Sequence, residues 1–265
     1  MIIKIIIIIL LILTFIHYKH YNKKNNEINI IQINEFDKTI YENSIKLKQP
    51  IILFDFLQEL RSYNELSFNS LKDINNINIL INNKEINFNT FIENIEKNEI
   101  NEIDYVYYEN NNILSYIELP LNEELKLLTS PISIYKSKNL TIAHTDYISP
   151  LLYTNFDRNI FLLYEGLLEF YIYKPNDIQN LYFNKKNNIY FISQIENILN
   201  KDKNKLEFPN MYNSEYITVR LYKGQTLILP NNYPYTYKVI EPILMINSKS
   251  DTIFSSIFNI KNIIA

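Results

Sequence analysis

Residues 140–147 read LTIAHTDY, an apolar, β-branched run that ends on His144-Thr145-Asp146. A run of this kind between polar residues reads as a strand, and it belongs to a series. ISIY (132–135) precedes it. NIFLLY (159–164), LLEFYIY (167–173), YITVRLY (216–222), TLILP (226–230), YTYKVI (235–240) and ILMIN (243–247) follow. Short strands succeeding one another with turn signals between them predict an antiparallel barrel or sandwich. His144 is also the only histidine after residue 20. A His-x-Asp pair at a strand end is one way to begin a metal site.

The rest of the chain narrows the choices. With 265 residues, 47% hydrophobic and 21% charged, it can bury a real core. The net charge of −3 supplies no basic footprint, which excludes nucleic acid as a partner. The absence of cysteine removes disulfides, thiolate metal sites and cysteine nucleophiles. Only Gly166 and Gly224 are present, too few for any phosphate-binding or nucleophile-elbow loop. Each divides two strand-like runs, so each is read as a hairpin residue at positive φ. The heavy use of Ile, Asn, Lys and Tyr reads as the signature of an AT-rich coding genome.

At the start, MIIKIIIIILLILTFIHYKHY is apolar from Ile5 to Ile16 except for Thr14. Residues 1–21 are expected to form an uncleaved transmembrane signal anchor, close to the lower end of the roughly 17–25 residues that a span needs. Residues 22–30 then form a polar linker. Lys19, Lys23 and Lys24 outnumber Lys4, so the positive-inside rule leans towards a cytosolic domain on a single-pass membrane protein. One domain is expected over 31–260. Its first part, 31–130, mixes a helix in 33–47 capped by Asn34, strands at PIILFDF, 77–81 and 104–108, and a short helix at 90–98. Its second part, 131–260, is the barrel. Helical spacing in FISQIENILNKDKN (191–204) marks a helical insertion at about 176–207.

Several motifs then occur in order: HTD, Gly166 with Pro175 nine residues later, FPN at 208–210, and KGQTLILPNNYPY at 223–235. Upstream lie EFDKTIYENSIKLKQPIIL (35–53) and YVYY (105–108). Over roughly residues 28–250 the chain resembles the cupin-like Jumonji-C group of Fe(II)- and 2-oxoglutarate-dependent oxygenases. The resemblance implies a mainly β fold, a double-stranded β-helix (cupin or jelly-roll) barrel with flanking N-terminal helices. It implies His144 and Asp146 as the first two metal ligands. The third falls five residues after Pro230, where Tyr235 stands. The lysine that would pair with 2-oxoglutarate falls at Leu168, and the acidic residue after the second glycine at Gln225. Thr141 and Tyr107 match cofactor-binding positions.

Two histidines and a carboxylate suit Fe(II) because they leave three positions open. Here one histidine is missing, and a carboxylate against Leu168 would be buried uncompensated. The expectation is a domain without cofactor that has lost its oxygenase chemistry and serves as a binding or scaffold module for a protein partner. The alternative is an active hydroxylase, using Fe(II) and 2-oxoglutarate, with a rebuilt site in which Arg220 or Lys238 supplies the counter-charge. A third reading is a cupin that binds a small ligand without metal.

Overall fold

The structure, a computed structural model, describes residues 2–21, 27–74, 77–81, 84–97, 106–108, 121–130, 133–185 and 190–252. The helices are α1 (Ile2–Tyr21), α2 (Lys38–Ile45), α3 (Arg61–Glu65), α4 (Phe68–Lys72), α5 (Phe88–Lys97), α6 (Leu121–Glu124) and α7 (Lys201–Glu207). The first strands are β1 (Ile31–Ile33), β2 (Ile51–Leu53), β3 (Asn78–Ile81), β4 (Lys84–Asn87) and β5 (Val106–Tyr108). The second part holds β6 (Ser133–Ala143), β7 (Leu152–Thr154), β8 (Arg158–Tyr173), β9 (Phe183–Lys185) and β10 (Tyr190–Ser193). It ends with β11 (Tyr216–Tyr222), β12 (Thr226–Pro230) and β13 (Tyr235–Thr252).

The strand β8 organises the domain. One of its edges pairs antiparallel with β11 along Leu167–Tyr173 and with β12 along Arg158–Leu162. Its other edge pairs with β13 over nearly its full length. β13 in turn pairs with β6 along Ile243–Thr252 and meets β7 at Tyr235↔Leu152. Phe161 and Phe170, nine residues apart on β8, would be about 30 Å apart on a straight strand. Their ring centroids are 5.0 Å apart. The sheet therefore folds over, so that its two halves face each other as antiparallel layers.

Side-chain alternation is consistent with this fold. Phe161 and Leu163 lie in the cluster between the layers, while Ile160, Leu162 and Tyr164 pack on the other side with α5 and the N-terminal segments. Beyond Gly166 the inward positions become Leu168, Phe170 and Ile172. The change from odd to even needs one irregular residue, because slipping by one residue sends every side chain to the opposite face. Gly166, at φ 85, is that residue. The hairpin expected there does not form. Gly224 is likewise not in a hairpin: it joins β11 to β12, which follow one another along the same edge of β8. Its amide donates to the Leu163 carbonyl at 2.8 Å.

The N-terminal elements lie close to their expected places, with local differences. The first short helix is capped by Asp37, whose carboxylate accepts from the Ile40 amide at 2.8 Å, rather than by Asn34. In the insertion, YFIS (Tyr190–Ser193) is strand β10, the α-helix is confined to Lys201–Glu207, and a 3-10 helix spans Pro175–Asn180. Ile195 and Ile198 follow in turns and are buried with Leu151, Tyr173 and Leu181, so their apolar spacing reflects a bent chain and not one helix face.

The expected transmembrane anchor is not supported: among the described residues no helix is long and apolar enough to cross a membrane. Residues 2–21 are one helix, and Ile5, Ile9, Ile12 and Ile16 are exposed on it. The apolar stretch from Ile5 to Ile16, broken only by Thr14, rises about 18 Å, against about 30 Å of hydrocarbon. Part of the expected linker, 22–26, and the end of the expected domain, 253–260, lie outside the described residues.

Tyrosine does much of the filling in a chain without tryptophan. Tyr41 donates to the Leu128 carbonyl at 2.7 Å, and burial, opposed by Arg158, pushes its hydroxyl up to about 12. Burial also pushes Tyr153 up to about 12. Both folded values exceed the ordinary 10.0. The stability they carry is whole below pH 10 and is lost as pH rises through about 12. Phenolate absorbance followed against pH should therefore show a late set of tyrosines that ionise together with loss of the folded circular-dichroism signal.

Candidate functional site

His144 and Asp146 follow β6, where the chain turns towards β7. In an extended strand, residues two apart share a face. Here the Tyr147 amide bonds back to the His144 carbonyl at 3.4 Å, and Asp146 adopts φ 66. Asp146 is 76% exposed and pairs with Lys238 Nζ at 2.9 Å. His144 is half-buried, and its Nε2 is buried with no hydrogen-bond partner among the described residues.

Tyr235 lies elsewhere. The Asp146 amide bonds to the Val239 carbonyl at 2.9 Å. That point is four residues along β13 from Tyr235, or about 13 Å. Opposite Tyr235 stands Leu152. Its hydroxyl accepts from Asn159 Nδ2 at 3.1 Å, and its ring meets Phe161 at 5.1 Å and Phe170 at 6.1 Å. Leu168 is fully buried in the same cluster, opposite Val239. The Asp146 backbone and Tyr235 are thus held apart by that stretch of β13. Among the described residues no three His, Cys, Asp or Glu side chains are grouped to hold a metal ion.

The donors beside Tyr235 are a phenol and an amide set among hydrocarbon, which do not fit an Fe(II) facial triad. The two candidate replacement cations, Arg220 and Lys238, both pair with carboxylates. Arg220 lies on the outer face of β11, 63% exposed, with Glu169 at 3.1 Å. Tyr171 hydroxyl donation, then Arg220, holds the Glu169 carboxyl below its usual range. Lys238 is committed to Asp146. Gln225 Oε1 accepts from the Tyr222 amide at 3.0 Å and tightens the β11–β12 link. Thr141 is buried on β6, opposite Met245. Tyr107 pairs through its backbone with Ile142, and its side chain lies outside the described residues.

Reading the sequence alone missed the polar end of this interior. β13 does not stop at Asn247 but runs on through Ser248-Lys249-Ser250-Asp251-Thr252, all buried. Lys249 is 1% exposed; it donates to Tyr190 Oη at 2.8 Å and sits 4.4 Å from the centre of that ring. The signal available was a strand-period continuation of ILMIN into NSKSDT. Its polar composition argued for solvent, and only the facing layer buries it.

A family profile described as a cupin-like domain matches residues 62–247. No curated protein matches the chain. The matched span is more than half of the chain and contains β5 to β12 and most of β13. The chain belongs to the cupin-like, Jumonji-C-type domain family.

Proposed function

We propose that this domain is a double-stranded β-helix that has left iron and 2-oxoglutarate chemistry and works by binding. The observation that carries this reading is the filled interior at Tyr235. Phe161 and Phe170 pack on the phenol, and Leu168 lies in the same buried cluster, where the resemblance calls for a histidine and a lysine. Asp146, the one carboxylate the motif offers, faces solvent and is paired with Lys238. Opening such a site would mean separating packed rings, each worth about 0.5–1.5 kcal/mol beyond its area. A protein partner of the resulting module would meet its surface, for which the Pro175–Asn213 insertion is the natural place.

Anaerobic titration of the full chain with Fe(II), alongside 2-oxoglutarate turnover, tests the reading. The expected result is no stoichiometric iron uptake in the micromolar range and turnover at background. Stoichiometric iron that disappears in His144→Ala, with 2-oxoglutarate consumed, would overturn it.

A further inference from the structure

Among the described residues, four strands of the large sheet have a single neighbour: β1, β5, β9 and β11. β1, β5 and β9 are three residues long, the short kind of edge that gives another strand little to pair with. β11 has seven residues, YITVRLY, with no proline, no glycine and no bulge in its ladder with β8. The direction of its backbone groups follows from one bond. The Lys174 amide donates to the Glu215 carbonyl at 3.3 Å, so Glu215 faces β8. Hydrogen-bonded and non-bonded pairs alternate along an antiparallel ladder. Ile217, Val219 and Leu221 therefore bond to β8, and Tyr216, Thr218, Arg220 and Tyr222 turn their amides and carbonyls away from it. Gln225 closes Tyr222: its Oε1 accepts from the Tyr222 amide and its own amide donates to the Tyr222 carbonyl, both at 3.0 Å. Tyr216, Thr218 and Arg220 are left with open backbone groups, and all three are exposed.

We infer that β11 pairs antiparallel with β11 of a second copy of the chain, about a two-fold axis at Thr218. This register uses the three open residues and no others. Thr218 faces Thr218, and Tyr216 faces Arg220 of the other copy, each pair exchanging two backbone bonds. Both facings are favourable, since threonines opposite one another hydrogen-bond and a guanidinium packs on a tyrosine ring. The two Arg220 side chains come to lie four positions apart along the ribbon, about 13 Å. Each keeps its own Glu169 at 3.1 Å, so the only charge on β11 arrives already paired. Self-complementarity of this kind is what a two-fold contact requires, and it makes a second copy the occupant. The pairing uses none of His144, Asp146 and Tyr235, so it is independent of the outcome with iron.

Sedimentation velocity on the full chain tests this. A ribbon of three open residues a side is narrower than a standard interface of about 1,600 Å², so a dimer with a dissociation constant of roughly 10–100 μM is expected. Like charges directly opposite repel, so Thr218→Lys should weaken it by about tenfold or more, and Thr218→Glu likewise. Both variants should keep the wild-type melting curve, because position 218 is exposed and its backbone is not bonded to β8. An equimolar mixture of the Thr218→Lys and Thr218→Glu variants should dimerise at least as tightly as the wild type, and salt should loosen that mixed dimer. A wild-type chain that stays monomeric up to about 0.3 mM overturns the inference. So does a dimer that both single variants leave intact, the result expected if the exposed isoleucines of α1 held the copies together. Variants that each lose the dimer but do not pair with one another overturn the two-fold register at Thr218.

Discussion

Gly166→Ala lowers the stability of the domain by about 3 kcal/mol or more, the sum of two independent costs. A Cβ at this position would lie 2.0 Å from the Pro242 carbonyl oxygen and 2.8 Å from its carbon, both backbone atoms of the neighbouring strand. Neither can swing away as a side chain could, so β13 itself must shift, and overpacking of that kind costs about 1–3 kcal/mol. The residue also sits at φ 85, where an L side chain adds about 1–2 kcal/mol. For a domain of this size the melting temperature should fall by roughly 6–12 °C, and the urea midpoint should fall with it. Gly224→Ala is the internal comparison. It shares φ 85, but its Cβ would meet only the flexible Gln58 side chain at 3.0 Å and the Tyr63 hydroxyl at 3.2 Å. A loss of about 1–2 kcal/mol is expected there. Equal losses at the two glycines would contradict the backbone clash at Gly166.

The contrast also shows what the sequence could and could not say about the fold. The series of short β runs and the ordered motifs were enough for the antiparallel β class and the family. The same two glycines were misread as hairpins because a bulge and a turn both ask for positive φ. Only the partner distinguishes them. Leu163 and Leu168 both face inward although five residues separate them, and that parity change is the physical mark of a bulge. It becomes visible once the opposite face is known to be buried too. The Ile195 and Ile198 spacing failed for a related reason, since a chain that turns over a second small core can imitate a helical period.

At the site the sequence named residues and not their geometry. Tyr235 and Leu168, which the resemblance matches to a histidine and a lysine, are both buried among rings and aliphatic carbons. The His-x-Asp register, in contrast, carried no information about the turn at Asp146, which depends on a left-handed residue and on Lys238 ninety-two positions later. Lys249 escaped notice because a lysine in a polar run is ordinarily solvated. Burial there comes from Tyr190, on a strand that the sequence presented as helix.

Lys48→Met should cost about 3 kcal/mol, the largest effect expected from any single side chain on the N-terminal part. Lys48 is 4% exposed at φ 54, and its ammonium reaches Asp157 at 3.1 Å and Asn231 at 3.3 Å. Its carbonyl accepts from the Tyr233 hydroxyl at 2.9 Å. One residue thereby joins the segment before β2 to the starts of two strands more than a hundred positions away. Methionine keeps the volume and removes the charge, while the Asp157 carboxylate keeps Arg158 at 3.6 Å. That surviving contact places the loss near the lower end of the usual range for breaking a buried pair. Asp157→Asn in the Lys48→Met background should then recover part of the loss, because it removes the charge left behind. A double-mutant cycle by urea denaturation should give a coupling of about 1–2 kcal/mol. Strict additivity of the two substitutions would mean that the pair is solvated and that the N-terminal segment is held to the sheet by apolar packing alone.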